Sequence, residues 1–270
     1  MGKDKNSNYN VYKDEGSVLL TVLLLIFLLT AIALSFSLTI RSSSKTVANT
    51  IDGLRGQELV KSGISLAVLH LESSEELLPL FSFEKEIESL GRVEINFEDE
   101  EGKIDINAAS PELLELLFFA FGDLDAESTV ARVLDYRDAD DDAREGGAES
   151  KDYNAVGKIY GPKNKAFESI NELYQIPGLT NIENIIPYLT VYTRRPGVDF
   201  TRSSKELTDK FANPDVNFIA GLNFDNIQLY SQNSSRRIYR ANINGITLGG
   251  TIVSKDVLLF KGSKSIIAPY

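Results

Sequence analysis

The sequence predicts an α+β chain: a long N-terminal transmembrane helix, an antiparallel sheet, and an all-helical domain inserted into that sheet. Three observations carry this. Residues 17–40 contain no charged side chain. Segments that alternate apolar and polar residues occur before about residue 107 and again after about residue 196. Between them the signals are helical, and that middle part holds most of the acid.

The uncharged run comes first. At about 1.5 Å per residue, residues 17–40 make a helix of roughly 36 Å, enough to cross a hydrocarbon core of about 30 Å. Such a run is apolar on every face, which a helix on a soluble core rarely is. A cleaved secretory signal is the competing expectation, and Ala31-Ile32-Ala33 has the small residues of a cleavage site. Against it, the apolar run continues seven residues beyond Ala33, and the preceding lysines are matched by Asp4, Asp14 and Glu15. A polar leader, residues 1–16, ends in Gly16.

After the span, Val47, Ile51 and Leu54, then Val60, Ile64, Ala67 and Leu71, recur at spacings of three and four. This predicts that the helix continues to about residue 75 and lies on a globular domain through one stripe. His70, the one histidine, belongs at the edge of that packing. The first part of the sheet domain is expected over 76–107. Val93, Ile95 and Phe97 alternate, Asp99-Glu100-Glu101-Gly102 reads as a turn, and Ile104 and Ile106 alternate again, predicting a hairpin.

The inserted domain is expected over 108–195. Ser110 can cap a helix with Pro111 in its first turn, and Leu113, Leu114, Leu116 and Leu117 follow. Further helices are predicted over 126–136, 169–174 and 182–189. Residues 196–270 supply the remaining strands, at 227–230, 238–243, 251–253 and 257–260.

Composition limits the function. The chain has 270 residues, no cysteine and one histidine, which leaves no thiolate metal site and no disulfide. No constellation assigns nucleophile, base and oxyanion donors, so no enzyme is predicted. The net charge of -11 opposes binding to nucleic acid through its phosphates. Residues 92–152 carry 19 acids against 6 bases, so the acidity is local.

Its centre is Asp135-Tyr136-Arg137-Asp138-Ala139-Asp140-Asp141-Asp142. Aspartates this dense repel one another unless a cation neutralises them. Calcium takes six to eight oxygens at about 2.3–2.6 Å, and the alternate acids Asp138, Asp140 and Asp142 can wrap around one ion. Gly146-Gly147 permits a return that brings Glu149 to it. The spacing is not that of an EF-hand, and a solvated loop is the bland alternative.

Several ordered blocks resemble one family. The leader ending in Gly16 before an apolar helix is similar to that of type IV pilins and pseudopilins. Lys103-Ile104-Asp105-Ile106-Asn107-Ala108-Ala109-Ser110-Pro111-Glu112-Leu113-Leu114, the acidic segment with Gly147-Ala148-Glu149 and Tyr153, the stretch from Lys163 through Ile176-Pro177-Gly178-Leu179, and Pro187-Tyr188-Leu189-Thr190-Val191-Tyr192 resemble the K-type minor pseudopilin of type II secretion. The resemblance covers most of residues 10–193 and fades after Arg195.

It implies a pilin-type fold with an inserted calcium-binding domain, and cleavage between Gly16 and Ser17 by a prepilin peptidase. By position it implies calcium ligands at Asp138, Asp140, Asp142 and Glu149, with Asp135 and Asp152 as secondary candidates. The implied partners are other minor pseudopilins and the inner-membrane secretion platform. The implied location is a single pass through the bacterial inner membrane with the C-terminal part in the periplasm. Most members have Phe or Met and Glu where this chain has Ser17 and Thr21. Lacking that acid, the subunit has nothing to pair with a neighbour's N-terminal amine, which implies a place at the tip and a role in starting assembly.

Two other functions compete. Ile176-Pro177-Gly178-Leu179-Thr180 between two helices resembles the hairpin of helix-hairpin-helix domains, as in membrane-anchored DNA-binding or uptake proteins. A minor pilin of a type IV pilus is the other.

Overall fold

A computed structural model describes residues 15–73, 80–212, 230–234, 237–262 and 266–267. The chain divides into two compact units, Met1–Arg55 and Gly56–Tyr270. The long helix α1 (Glu15–Ser73) runs through the boundary.

In the first unit, every described side chain of residues 17–51 is exposed, including Phe27, Ile32 and Phe36. Helix α1 reaches a mean hydropathy of 2.9 and is long and apolar enough to cross a membrane. The threonine hydroxyls of its apolar part bond to carbonyls of the same helix, which suits an apolar surrounding. Thr21 Oγ1 donates to Val18 O at 2.8 Å, Thr30 Oγ1 to Phe27 O at 2.8 Å, and Thr39 Oγ1 to Ser35 O at 3.0 Å. The stripe expected to lie on a globular domain divides here. Val47, Ile51 and Leu54 are exposed.

In the second unit the helix does pack. Leu59, Val60, Ala67 and Leu71 are buried among Val93, Ile95, Phe97, Tyr239, Ala241, Ile243, Val257 and Leu259 of a sheet. Each such aliphatic side chain contributes roughly 1.5–3 kcal/mol when removed from water. His70 lies at the edge of this core, its ring 4.8 Å from that of Phe83 and 5.3 Å from that of Phe81.

The sheet contains β1 (Leu80–Ile87), β2 (Gly91–Asp99), β5 (Ile238–Thr247), β6 (Ile252–Phe260) and β7 (Ile266–Ile267) in the order β1-β2-β5-β6-β7, all antiparallel. Period two decides the faces. Val93, Ile95 and Phe97 are fully buried, and they pair with Lys85, Phe83 and Phe81 of β1.

The expected hairpin of residues 93–106 is corrected. The partner of β2 is β1, whose charged residues Glu84, Lys85 and Glu86 mask its alternation. Ile104 and Asp105 form β3 (Ile104–Asp105), which pairs in parallel with β4 (Leu189–Thr190). Two further differences concern strands. The segments expected at 251–253 and 257–260 are one strand, β6, continued through Ser254, Lys255 and Asp256. Of the strand expected at 227–230, only Tyr230 is described, and its carbonyl accepts from Val198 N at 2.9 Å.

Between β3 and β4 lies the helical insert with a core of its own. Helix α2 (Pro111–Ala120) begins as its sequence requires: Ser110 Oγ accepts from Leu113 N at 3.3 Å, and Pro111 opens the first turn. It packs on α3 (Ala126–Arg137). The short α4 (Ser150–Ala155) follows the acidic loop, then a 3-10 turn Ile170–Gln175, α5 (Ile182–Ile185) and a second 3-10 turn Ile186–Tyr188. Leu113, Leu117, Phe118, Val133, Tyr153, Leu173 and Ile185 form the centre of this core. Residues 196–212, grouped by sequence with the sheet domain, pack with the helical insert. They carry α6 (Lys205–Phe211), and Val198, Leu207 and Phe211 complete the helical core.

The insert is joined to the sheet by buried charge. Asp99, Glu100 and Glu101, expected as a turn cluster, are 4 %, 0 % and 1 % exposed in and beside the 3-10 turn Glu100–Gly102. Each has its own cation. Asp99 pairs with Arg202, Glu101 Oε2 lies 2.8 Å from Arg195 Nη1, and Glu100 Oε1 lies 2.9 Å from Arg240 Nε of β5 and 3.2 Å from Lys103 Nζ. Thr190 of β4 donates its hydroxyl to Glu100 Oε2. Glu100 therefore ties the sheet to both ends of the insert.

Candidate metal centre

The acidic loop starts where α3 ends, and Asp135 in the last turn of that helix organises it. Its carboxylate is fully buried and fully used. Oδ1 accepts from Arg144 Nη1 at 2.6 Å, and Oδ2 accepts from Arg144 N at 3.2 Å and Ala148 N at 2.9 Å. These bonds fold residues 138–148 back over the helix. A Cβ on residue 147 would stand 1.9 Å from Asp135 Oδ2, so Gly147 is what lets the loop close on this carboxylate.

That closure gathers three acids. Carboxylate oxygens of Asp138, Asp140 and Glu149 all lie within 4.8 Å of one another. Asp138 caps the C-terminus of α3; its Oδ2 pairs with Arg144, and its buried Oδ1 has no hydrogen-bond partner. Asp140 is exposed, and its Oδ1 accepts from Asp142 N at 3.1 Å. Its backbone carbonyl accepts from Asn164 Nδ2 at 2.8 Å. Glu149 is 3 % exposed, and neither of its oxygens has a hydrogen-bond partner. Burial pushes its carboxyl up to about 7, and the charges of Asp135, Asp141 and Asp138 add to the effect. A buried carboxylate without a donor is costly by several kcal/mol unless a cation compensates it.

The remaining candidates have other places. Asp142 is exposed and outside the cluster of three. Asp135 is the closure just described. Asp152 Oδ2 accepts from Glu149 N at 3.0 Å, capping α4 and fixing the backbone that carries Glu149. Arg144 and Asn164 were not anticipated, although a lone arginine between Asp142 and Glu145 is itself a signal.

The residues fit a hard cation. Two oxygens on opposite sides of a calcium ion stand about 5 Å apart, the scale of this cluster, and all three donors are carboxylates. Asp138, Asp140 and Glu149 would hold it.

Residues 95–194 match the family described as type II secretion system (T2SS), protein K. The match spans β3 to β4 and everything between, so the part of this chain that is similar to protein K is the helical insert together with residues 95–99 of β2. Among solved structures, a chain of the GspK-GspI-GspJ complex from the enterotoxigenic Escherichia coli type 2 secretion system is similar, with 13 % identity and a TM-score of 0.58. The alignment covers 77 % of this chain and 91 % of that one. The likeness shows the fold: a long N-terminal helix, a pilin-type antiparallel sheet and an inserted helical domain. No curated protein sequence is significantly similar.

The segment that resembles a DNA-gripping hairpin has a different setting here. Ile176-Pro177-Gly178-Leu179-Thr180 lies between a six-residue 3-10 turn and the four-residue α5, not between two full helices.

Proposed function

We propose that this chain is a minor pseudopilin at the tip of a type II secretion pseudopilus. It is held in the inner membrane by the apolar part of α1, with residues 56–270 in the periplasm. Its role is structural: it joins other minor pseudopilins, counterparts of the GspI and GspJ that accompany GspK in the similar complex, and helps initiate assembly on the inner-membrane platform. The observation that carries this reading is the protein K segment set into a pilin-type sheet behind an apolar helix. The tip position is supported by Thr21, whose hydroxyl is spent on Ser17 O and Val18 O of its own helix and offers no charge to a neighbouring amine.

Prepilin peptidase would cleave between Gly16 and Ser17, leaving α1 from Ser17 onward as anchor and assembly element. Calcium would be held by Asp138, Asp140 and Glu149. It would supply the positive charge that a buried Glu149 lacks and would brace the loop, with no chemistry beyond that.

Deleting the gene and assaying secretion tests the role, and labelling the assembled pseudopilus tests the position. Loss of secretion and a label confined to one end are expected. Intact secretion, or label along the shaft, would overturn the reading. N-terminal sequencing of the mature protein should begin at Ser17.

A further inference from the structure

The guanidinium of Arg144 occupies a particular position in the acidic loop. Its Nη1 touches two carboxylates at once, Asp135 Oδ1 at 2.6 Å and Asp138 Oδ2. The two acids differ in what else holds them. Asp135 also accepts two backbone donors through Oδ2 and remains bonded if the guanidinium moves. Asp138 Oδ1 has no hydrogen-bond partner. The Arg144 side chain is 43 % exposed, so its head has a route into water.

We propose that Arg144 is the built-in counter-cation of the loop: it neutralises Asp138 when no ion is present and opposes calcium that binds through the unpartnered Oδ1 of the same carboxylate. This rests on the calcium reading above and concerns what sets the affinity of that site. A fixed positive charge beside a divalent ion repels it, and a guanidinium on Oδ2 draws off negative charge that the same carboxylate would offer calcium through Oδ1. Arg144 does two opposed things. It keeps the ion-free loop folded, and it weakens the metal site by competing for one ligand.

The two effects separate in Arg144→Gln. Calcium titration by calorimetry, with the full chain in detergent, should show binding on the order of tenfold tighter than in the parent protein. In excess chelator the same variant should melt lower, because Asp135 and Asp138 lose their cation. Arg144→Lys keeps the charge on a shorter reach and should lie between the parent and Arg144→Gln in both measurements. It also preserves the test if Arg144→Gln does not fold without metal. An arginine that merely braced the loop would lower the melting temperature with and without calcium and leave affinity unchanged or weaker, and that result in both variants overturns the proposal. Absence of calcium binding to the parent protein would overturn the calcium reading itself and this proposal with it; binding with unaltered affinity in the variants overturns the Arg144 role alone.

Discussion

The carbonyl oxygen of Gly56 stands 2.7 Å from the point where a Cβ on Gly245 would lie, so helix α1 and strand β5 meet backbone to backbone. The same point is 2.8 Å from Leu59 Cβ, and neither atom belongs to the movable end of a side chain. About two helical turns beyond Gly56, a Cβ on Gly63 would meet Ile243 Cγ2 at 2.5 Å and Val93 Cγ1 at 2.6 Å. The helix is seated on the sheet by missing side chains as much as by the Leu59 and Ala67 that fill the contact.

A side chain at residue 245 should therefore lift the helix. Gly245→Ala is expected to cost about 1–3 kcal/mol, and Gly245→Val more, because helix and strand would have to separate along their common contact. Gly53→Ala, where a Cβ meets nothing within 4 Å, is the control and should be neutral or stabilising. Thermal unfolding of the three variants decides it; equal melting temperatures for Gly245→Ala and Gly53→Ala would refute the close approach.

How far the sequence shows this fold depends on whether a signal is local. The span, the Ser110 cap, α3 and the inward faces of β2 and β5 follow from periodicity and capping within a few residues. What stayed hidden is pairing between distant segments. Residues 104–105 look like the return arm of a hairpin, yet Leu189 and Thr190 take that place from the far side of the insert. Asp99-Glu100-Glu101 looks solvated because its cations, Arg195, Arg202 and Arg240, come from the other end of the chain. At the candidate site the acids themselves are legible. That Glu149 is buried without a partner, while Asp135 is saturated by Arg144 and Ala148, depends on how the loop closes over α3.

The buried charges between sheet and insert should be unequal to surface pairs of the same chemistry. Burial raises the Glu100 carboxyl, but the charges of Lys103 and Arg240 and the Thr190 hydroxyl more than reverse this and hold it below the usual range. Its stabilising contribution is thus present above the usual glutamate range and lost as the solution is acidified through its lowered value. Glu100→Gln removes the buried carboxylate that faces Arg240 and Lys103, of which Lys103 keeps Glu98 Oε2 at 2.7 Å, and should cost about 3–5 kcal/mol at neutral pH. Glu94→Gln, which removes the half-buried partner of a surface Arg92, should cost less than about 1 kcal/mol. Denaturant midpoints at neutral pH provide the comparison, and similar losses in both would show that Glu100 does not tie the sheet to the insert.

Asp99 should give the opposite pH dependence. Burial raises its carboxyl from 3.8 to about 6 against the opposing Arg202 charge, with Glu101 adding to the rise. A raised value means the folded state holds the proton more tightly, so this contribution is present below about pH 3.8 and disappears as pH rises through about 6. Asp99→Asn cannot titrate. Unfolding measured from pH 4 to 7.5 should therefore show the parent protein losing up to about 3 kcal/mol relative to Asp99→Asn across pH 4–6, and a constant difference would rule the effect out.

The acidic loop gives the last prediction, because it distinguishes a metal centre from a merely solvated run of acids. If Glu149 is buried to meet a cation, the ion-free protein carries an uncompensated carboxylate, and calcium relieves it. Excess chelator should lower the melting temperature by several degrees, since a ligand bound only by the folded state stabilises by about 2.7 kcal/mol at one hundred times its dissociation constant. Glu149→Gln removes the charge but keeps the shape. In chelator it should be at least as stable as the parent protein, and it should lose most of the response to added calcium. Asp142→Asn, altering an exposed acid outside the cluster, should leave that response intact. Glu149→Gln losing stability in chelator, or Asp142→Asn losing the calcium response, would mean that the ion, if bound, is held by a different set of oxygens. A parent protein indifferent to chelator would leave Glu149 as a carboxyl kept neutral by burial.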